Sequence, residues 1–268
     1  MSSTTLRPTS VRPRHLPSAR WARMVSPVLI VVVWQLASST GILPQRLLTA
    51  PTTVVSTAID ITRDGTLPHA IVISLQRAVI GFGIGAVVGI GLALIAGLSL
   101  IGEQILDPPL QMLRMLPFYG LIPLFILWFG IGELPKVVLV AFGVAIPLYI
   151  NTFAGIRSVD GKLAELAQVQ QLSKFGLIRH IVLPGALPQA LVGLRLALAA
   201  SWLALIVAEQ VNADAGLGYL IDNARDFLRT DIIVVGLLVY SLLGLITDSI
   251  VRLIERKALA WRRGFLAS

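Results

Sequence analysis

Few residues in this chain have a type and spacing that could make or break a bond. Cysteine is absent, so there is no disulfide, thiolate metal site or cysteine nucleophile. His15, His69 and His180 are far apart and lack metal-ligand spacing, so no bound metal is expected. Ser74, Ser201 and Ser241 have no evident base beside them. Gly81-Phe82-Gly83 and Gly89-Ile90-Gly91 invite a dinucleotide reading, but neither completes GxGxxG, and both lie in apolar sequence rather than after a strand. Gly161-Lys162 comes nearest to a phosphate loop. Leu163 follows it, however, and Ile156 stands where the first glycine belongs. Catalysis by this chain is therefore not expected. What remains is charge in apolar surroundings. Arg114, Arg195 and Glu209 sit at or within apolar stretches, and such residues cost about 2.5–3.5 kcal/mol at a helix centre on insertion scales. They are candidates to line a translocation pathway, with pairing inside a bundle as the alternative. Snorkelling toward the interface suits Arg114, placed near the inner end of its span, and Arg77.

The elements that must position these charges are membrane helices. The chain has 268 residues, 56% of them hydrophobic and only 13% charged, with a mean hydropathy of +0.83. A soluble domain averages about 25% charged residues. An ordinary soluble enzyme, a disordered protein and a disulfide-framed domain are thereby excluded. The expected fold is all-α and polytopic, with about six spans. They fall at 24–43, 78–102, 115–132 (with the helix starting after Pro109), 137–156, 188–211 and 232–251. A cleavable signal peptide competes for the first, since Ala37-Ser38-Ser39 could be cut, but the basic region before it and the spans after it favour an uncleaved helix. Residues 1–23 read as a disordered basic tail and 257–268 as a second basic tail, flanking a transmembrane domain over 24–256. A short amphipathic helix is expected over 52–63. The glycines of the second span read as helix packing.

Six spans place both termini on one side. That side, with loop 157–187, receives 14 of the 22 basic residues, and the opposite loops hold 5. By the positive-inside rule both termini and that loop are cytoplasmic.

Loop 157–187 has a helical stripe at Leu163, Leu166, Val169 and Leu172. Ser173 is placed to cap a second short helical turn, Lys174–Ile181, and Pro184 and Pro188 are expected to break the chain before the fifth span. Periodicity alone leaves two readings open, a handle for a grooved partner or a helix on the lipid surface. Glu165-Leu166-Ala167 and Ile181-Val182-Leu183-Pro184 carry a more specific signal. Their order and spacing resemble the cytoplasmic "EAA" loop of permease subunits of bacterial ABC importers: E-A-A, three residues, G, nine residues, I-x-L-P. Glu165, Ala167, Ile181, Leu183 and Pro184 match. Leu166 replaces an alanine and Gln171 the glycine. If that turn needs a left-handed backbone, a non-glycine residue costs roughly 1–2 kcal/mol. Either Gln171 bears the strain, or the turn shifts toward Leu172-Ser173.

The stretches LTAPTTV (48–54), LIPLFILWFGIGELPK (121–136), NTFAGIRSVD (151–160) and GLGYLI (216–221) are similar to the branch of importers for aliphatic sulfonates, taurine and nitrate. The resemblance implies a homodimer, two separate ATPase subunits that bind the ATP and magnesium, and an extracytoplasmic binding protein that delivers the cargo. No nucleic acid is involved. It implies coupling to the ATPase through Leu163, Glu165, Leu166, Ala167, Gln171, Leu172, Ile181, Leu183 and Pro184. The alternatives are a secondary transporter or channel for a small anion, for which no internal repeat is evident, and an intramembrane enzyme, for which no catalytic cluster is evident.

Overall fold

The computed structural model describes residues 19–44 and 47–263. Among these every regular element is helical. Most of the expected basic tail at 1–23 lies outside the described residues, but the first helix, α1 (Ala19–Ser39), reaches back into its last residues. The amphipathic helix expected near 52 is α2 (Pro51–Arg63). It opens on a proline, where the missing N–H costs nothing, and buries Val54, Thr57 and Ile61. The backbone N–H of Thr66 then donates to Asp64 at 2.9 Å, which holds that carboxyl below its ordinary pKa.

The second span is α3 (Thr66–Leu98) and the fourth is α6 (Glu133–Arg157), both long and apolar enough to cross a membrane. They pack along a stripe of small residues. Gly81, Gly85, Gly89, Ala93 and Gly97 recur every fourth position on the buried face of α3. A Cβ at Gly81 would stand 2.7 Å from the Val140 Cβ, and one at Gly85 2.7 Å from the Val144 Cβ. The packing reading of these glycines holds, because the two backbones approach where a side chain has no room. Gly83 and Gly91 face open space.

The third span departs from expectation. It is two helices, α4 (Leu100–Leu113) and α5 (Phe118–Phe129). Pro108 and Pro109 lie inside α4, and the interruption falls at 114–117, where Pro117 is extended at the start of α5. The pre-proline residue is pushed out of helical geometry. Arg114 is therefore at a mid-segment break, not near an end.

After α6 come α7 (Gly161–Val169) and α8 (Lys174–Leu177). A π-helical turn, Ile178–Val182, leads without interruption into α9 (Leu183–Asn212). The break expected at Pro184 and Pro188 is absent. Pro184, just after the π turn, and Pro188 are both carried inside one continuous helical run. The chain ends with α10 (Leu217–Asp226), α11 (Thr230–Ala258) and the short α12 (Ala260–Arg263).

Helix α6 is central, packed between α3 and α9. Leu139, Val140, Val144 and Leu148 are buried there against Ala197, Ala204 and Leu205 of α9. A second cluster joins α2, α10 and α11 through Val54, Leu217, Ile221 and Val235. Outward faces are apolar, as at Val87 on α3 and Leu245 on α11, which suits a chain solvated by lipid.

Candidate functional site

Two places concentrate polar residues that local sequence positions with care. The first is the segment 157–187. Helix α7 starts where the Lys162 N–H donates to Asp160 at 3.0 Å. The next turn is closed by the Leu172 N–H donating to the Ala167 carbonyl at 2.9 Å. Gln171 is left-handed there, with φ 55°, so the residue standing at the motif glycine bears the strain, and the turn does not shift. The Ser173 hydroxyl accepts from the Gly176 N–H at 3.1 Å, the expected cap. The Gln171 turn joins α7 directly to α8, so the two halves of the motif lie on successive helices of one segment. Ala167, 3% exposed, is the buried residue among those described on α7. Leu163, Leu166, Val169, Leu172 and Phe175 are exposed, and so is Glu165, which has no ion-pair partner among the described residues. Ile181 and Pro184 are half-buried, while Leu183 is exposed, where the π turn enters α9.

The second place is a buried charge network. The Glu209 carboxylate on α9 is 1% exposed. It accepts from the Ser74 hydroxyl (2.8 Å), Arg77 Nη1 (2.8 Å), the Gly218 N–H (2.8 Å) and the Tyr240 hydroxyl (2.9 Å). Ser74 in turn accepts from the Leu217 N–H at 2.8 Å. Arg77 also grips Glu133 through two 2.6 Å bonds and donates to the Ala215 carbonyl at 2.6 Å. Lys136 donates to Glu133 at 3.0 Å. The network ties α3, α6, α9, α10 and α11 together at one end of the bundle. Gly216, at φ 115°, is required there, because a Cβ would run into the Glu209 carboxylate and stand 2.7 Å from Arg77 Nη1.

Glu209 thus pairs within the bundle. Arg77 does not snorkel, because its guanidinium is fully engaged by two carboxylates. Arg195 also has partners. It pairs with Asp248 at 3.6 Å and with Glu255, both on α11, at the mouth of a cavity of about 490 Å³ lined by Trp202, Tyr240 and Thr247. Arg114 is exposed and belongs to neither place. Sequence reasoning missed Glu133, Lys136 and Tyr240 as network members. The available signal was that Ser74 and Arg77 continue the Gly81-Gly85-Gly89 stripe, so that face of α3 had to be buried.

With this geometry in place, comparison with known proteins is decisive. The model of a family described as binding-protein-dependent transport system inner membrane component matches residues 85–259. The chain belongs to that family. This permease is 50% identical over 253 residues to the putative aliphatic sulfonates transport permease protein SsuC of Escherichia coli (strain K12), covering 93% of this chain and 96% of the relative. Identity to the protein of the same name from Bacillus subtilis (strain 168) is 42%, covering 90% and 88%. The taurine transport system permease protein TauC of Escherichia coli (strain K12) is 31% identical, covering 87% and 86%. The permease fold also matches a solved amino acid ABC transporter, with a TM-score of 0.61 at 17% identity, covering 74% of this chain and 96% of that one. The chain is accordingly a transport component of an ABC importer rather than an enzyme.

Proposed function

We propose that this permease carries aliphatic sulfonates across the bacterial inner membrane, as a homodimer. In this reading an extracytoplasmic binding protein delivers the cargo, and two separate ATPase subunits supply the work. Both termini and the segment 157–187 face the cytoplasm. The cargo reading draws its support from the 50% identity to a permease named for aliphatic sulfonates, across nearly all of both chains. ATP and magnesium bind the partner, since this sequence has no phosphate loop.

The observation that carries the coupling reading is the exposed apolar rim of Leu163, Leu166, Leu172 and Phe175 around the unpaired Glu165. The left-handed Gln171 and the Ser173 cap set the turn that carries this rim, and Ala167, Ile181, Leu183 and Pro184 belong to the same coupling segment. An exposed apolar stripe flanked by charges of both signs, Lys162 and Glu165 on α7, suits a groove on a protein better than a lipid surface, which favours basic polar faces. The test is uptake of ethanesulfonate by cells or vesicles bearing the whole transporter. Glu165→Lys abolishes uptake while the chain still inserts at normal level. Wild-type uptake by that variant overturns the coupling role, and no sulfonate uptake by the unaltered transporter overturns the cargo.

A further inference from the structure

The break between α4 and α5 falls in a segment packed beside the middle of α6. The Tyr149 hydroxyl of α6 donates to Asp107 of α4 at 3.0 Å. The Phe125 ring of α5 lies 6.4 Å from that of Phe142 on α6. Those two α6 positions are separated by about 10 Å of helix rise, and they straddle the centre of a 25-residue helix. Residues 114–117 connect the two contacts and so lie at that depth.

Two independent features of this break are incompatible with lipid. The regular helix is interrupted: after the Arg114 N–H reaches the Leu110 carbonyl (3.1 Å), the Met115 and Leu116 N–H groups fall back to the tighter Met112 (3.0 Å) and Leu113 (3.1 Å) carbonyls, and Pro117 has no N–H to continue the ladder. Unwound backbone at membrane depth is tolerated only against protein or water. Arg114 adds a full charge. Away from the ends of the spans the chain engages its other arginines: Arg77 with Glu133 and Glu209, Arg195 with Asp248 and Glu255, and Arg252 with Asp248. Arg114 alone of these has no acid or hydrogen-bond acceptor among the described residues, and its neighbours Met112 and Met115 are 73% and 70% exposed.

We infer that the α4–α5 break lines the water-filled route and that Arg114 is the station where the anionic headgroup of the cargo dwells. This rests on the permease reading above. A guanidinium offers a planar fork of donors that fits two oxygens of a sulfonate at once, and it keeps its charge at any depth. Arg195 and Glu209 are then bracing residues rather than stations, because their charges are already matched within the chain. In a homodimer a second Arg114 enters from the other copy.

The absence of cysteine makes a direct test possible. Met115→Cys, made in the complete transporter in membranes, is labelled on this chain by an anionic sulfonatoethyl or a cationic trimethylammonioethyl methanethiosulfonate. Rates are corrected for those with a free thiol. The anionic reagent is favoured about tenfold, as a focused cationic site requires, and Arg114→Gln in the same chain removes the preference. Ethanesulfonate slows the labelling. In uptake, Arg114→Gln loses at least about tenfold and Arg114→Lys recovers part of the loss, while ATP hydrolysis stimulated by the binding protein persists. A thiol that neither reagent reaches, a preference that survives Arg114→Gln, or full uptake by Arg114→Gln overturns the inference. A preference that holds in a transporter that moves no sulfonate upholds the cationic route and strikes only the choice of cargo.

Discussion

Arg77 Nη1 lies 2.8 Å from Glu209 Oε1, with both side chains almost wholly removed from solvent. The Glu209 charge is not tolerable there alone. Desolvation of two ions can match or exceed their attraction, so the pair is weak evidence for stability in itself. Its consequence is conditional: once Glu209 is present, Arg77 is obligatory.

Arg77→Met therefore destabilises the chain by about 3–5 kcal/mol, since it leaves the buried Glu209 carboxylate without a cation, while Glu209→Leu costs less, since Arg77 keeps both bonds to Glu133. The double variant, which empties the site of both charges, recovers a substantial part of that loss. Thermal unfolding of the detergent-solubilised chain, run as a double-mutant cycle, reads both terms. A double variant that is worse than Arg77→Met would refute the account.

Gln171→Gly relaxes the left-handed turn after α7 and leaves uptake unchanged or improved. Gln171→Ile puts a β-branched side chain at φ 55°, costs about 1–2 kcal/mol locally, and lowers uptake without lowering the amount of chain in the membrane. Uptake measured against membrane abundance for the two variants checks this. Equal behaviour would mean that the turn's conformation is immaterial.

On α3 the glycines divide by face. Gly85→Ala forces the α3 and α6 backbones apart and costs upward of about 2 kcal/mol. Gly83→Ala, which meets nothing, gains up to about 1 kcal/mol from helix propensity in the isolated chain. Opposite signs in the two melting temperatures are the expected outcome.

Arg195→Ala is milder. Its side chain is 45% exposed, and its pairing with Asp248 and Glu255 is largely open to solvent. A loss of no more than about 1 kcal/mol is expected. Near-normal uptake by this variant, set beside the loss in Arg114→Gln, separates a brace from a station.

Much of this architecture was legible in the sequence because the membrane imposes it. The charge-free runs 78–102 and 137–156 mark the apolar bodies of α3 and α6, although α3 begins at Thr66, before Arg77, and Ser173 announces a helix start. Proline was the poorest guide. Pro108, Pro109, Pro184 and Pro188 all stand within helices, because in a membrane the freed carbonyls find other partners, whereas the break falls at Pro117. Treating charges as span boundaries also hid the network. Arg77, Glu133 and Lys136 mark span boundaries in the sequence, yet they meet in space because the Arg77 turn, well inside α3, packs beside the first turn of α6. Helix α10, anchored by Leu217 and Gly218 to that network, has no periodic signature long enough to be read in isolation.

The helical run from Lys174 to Val211 has one last implication. At about 1.5 Å per residue its 38 residues form a shaft nearly 57 Å long. Phe175 stands near one tip and Glu209 near the other. In the coupling reading proposed above, a push on the Phe175 tip travels along this run, with give at the π turn and at Pro184 and Pro188. At the far tip Glu209 holds α10 by the Gly218 amide, so motion of one end of the run is felt by the helix docked at the other.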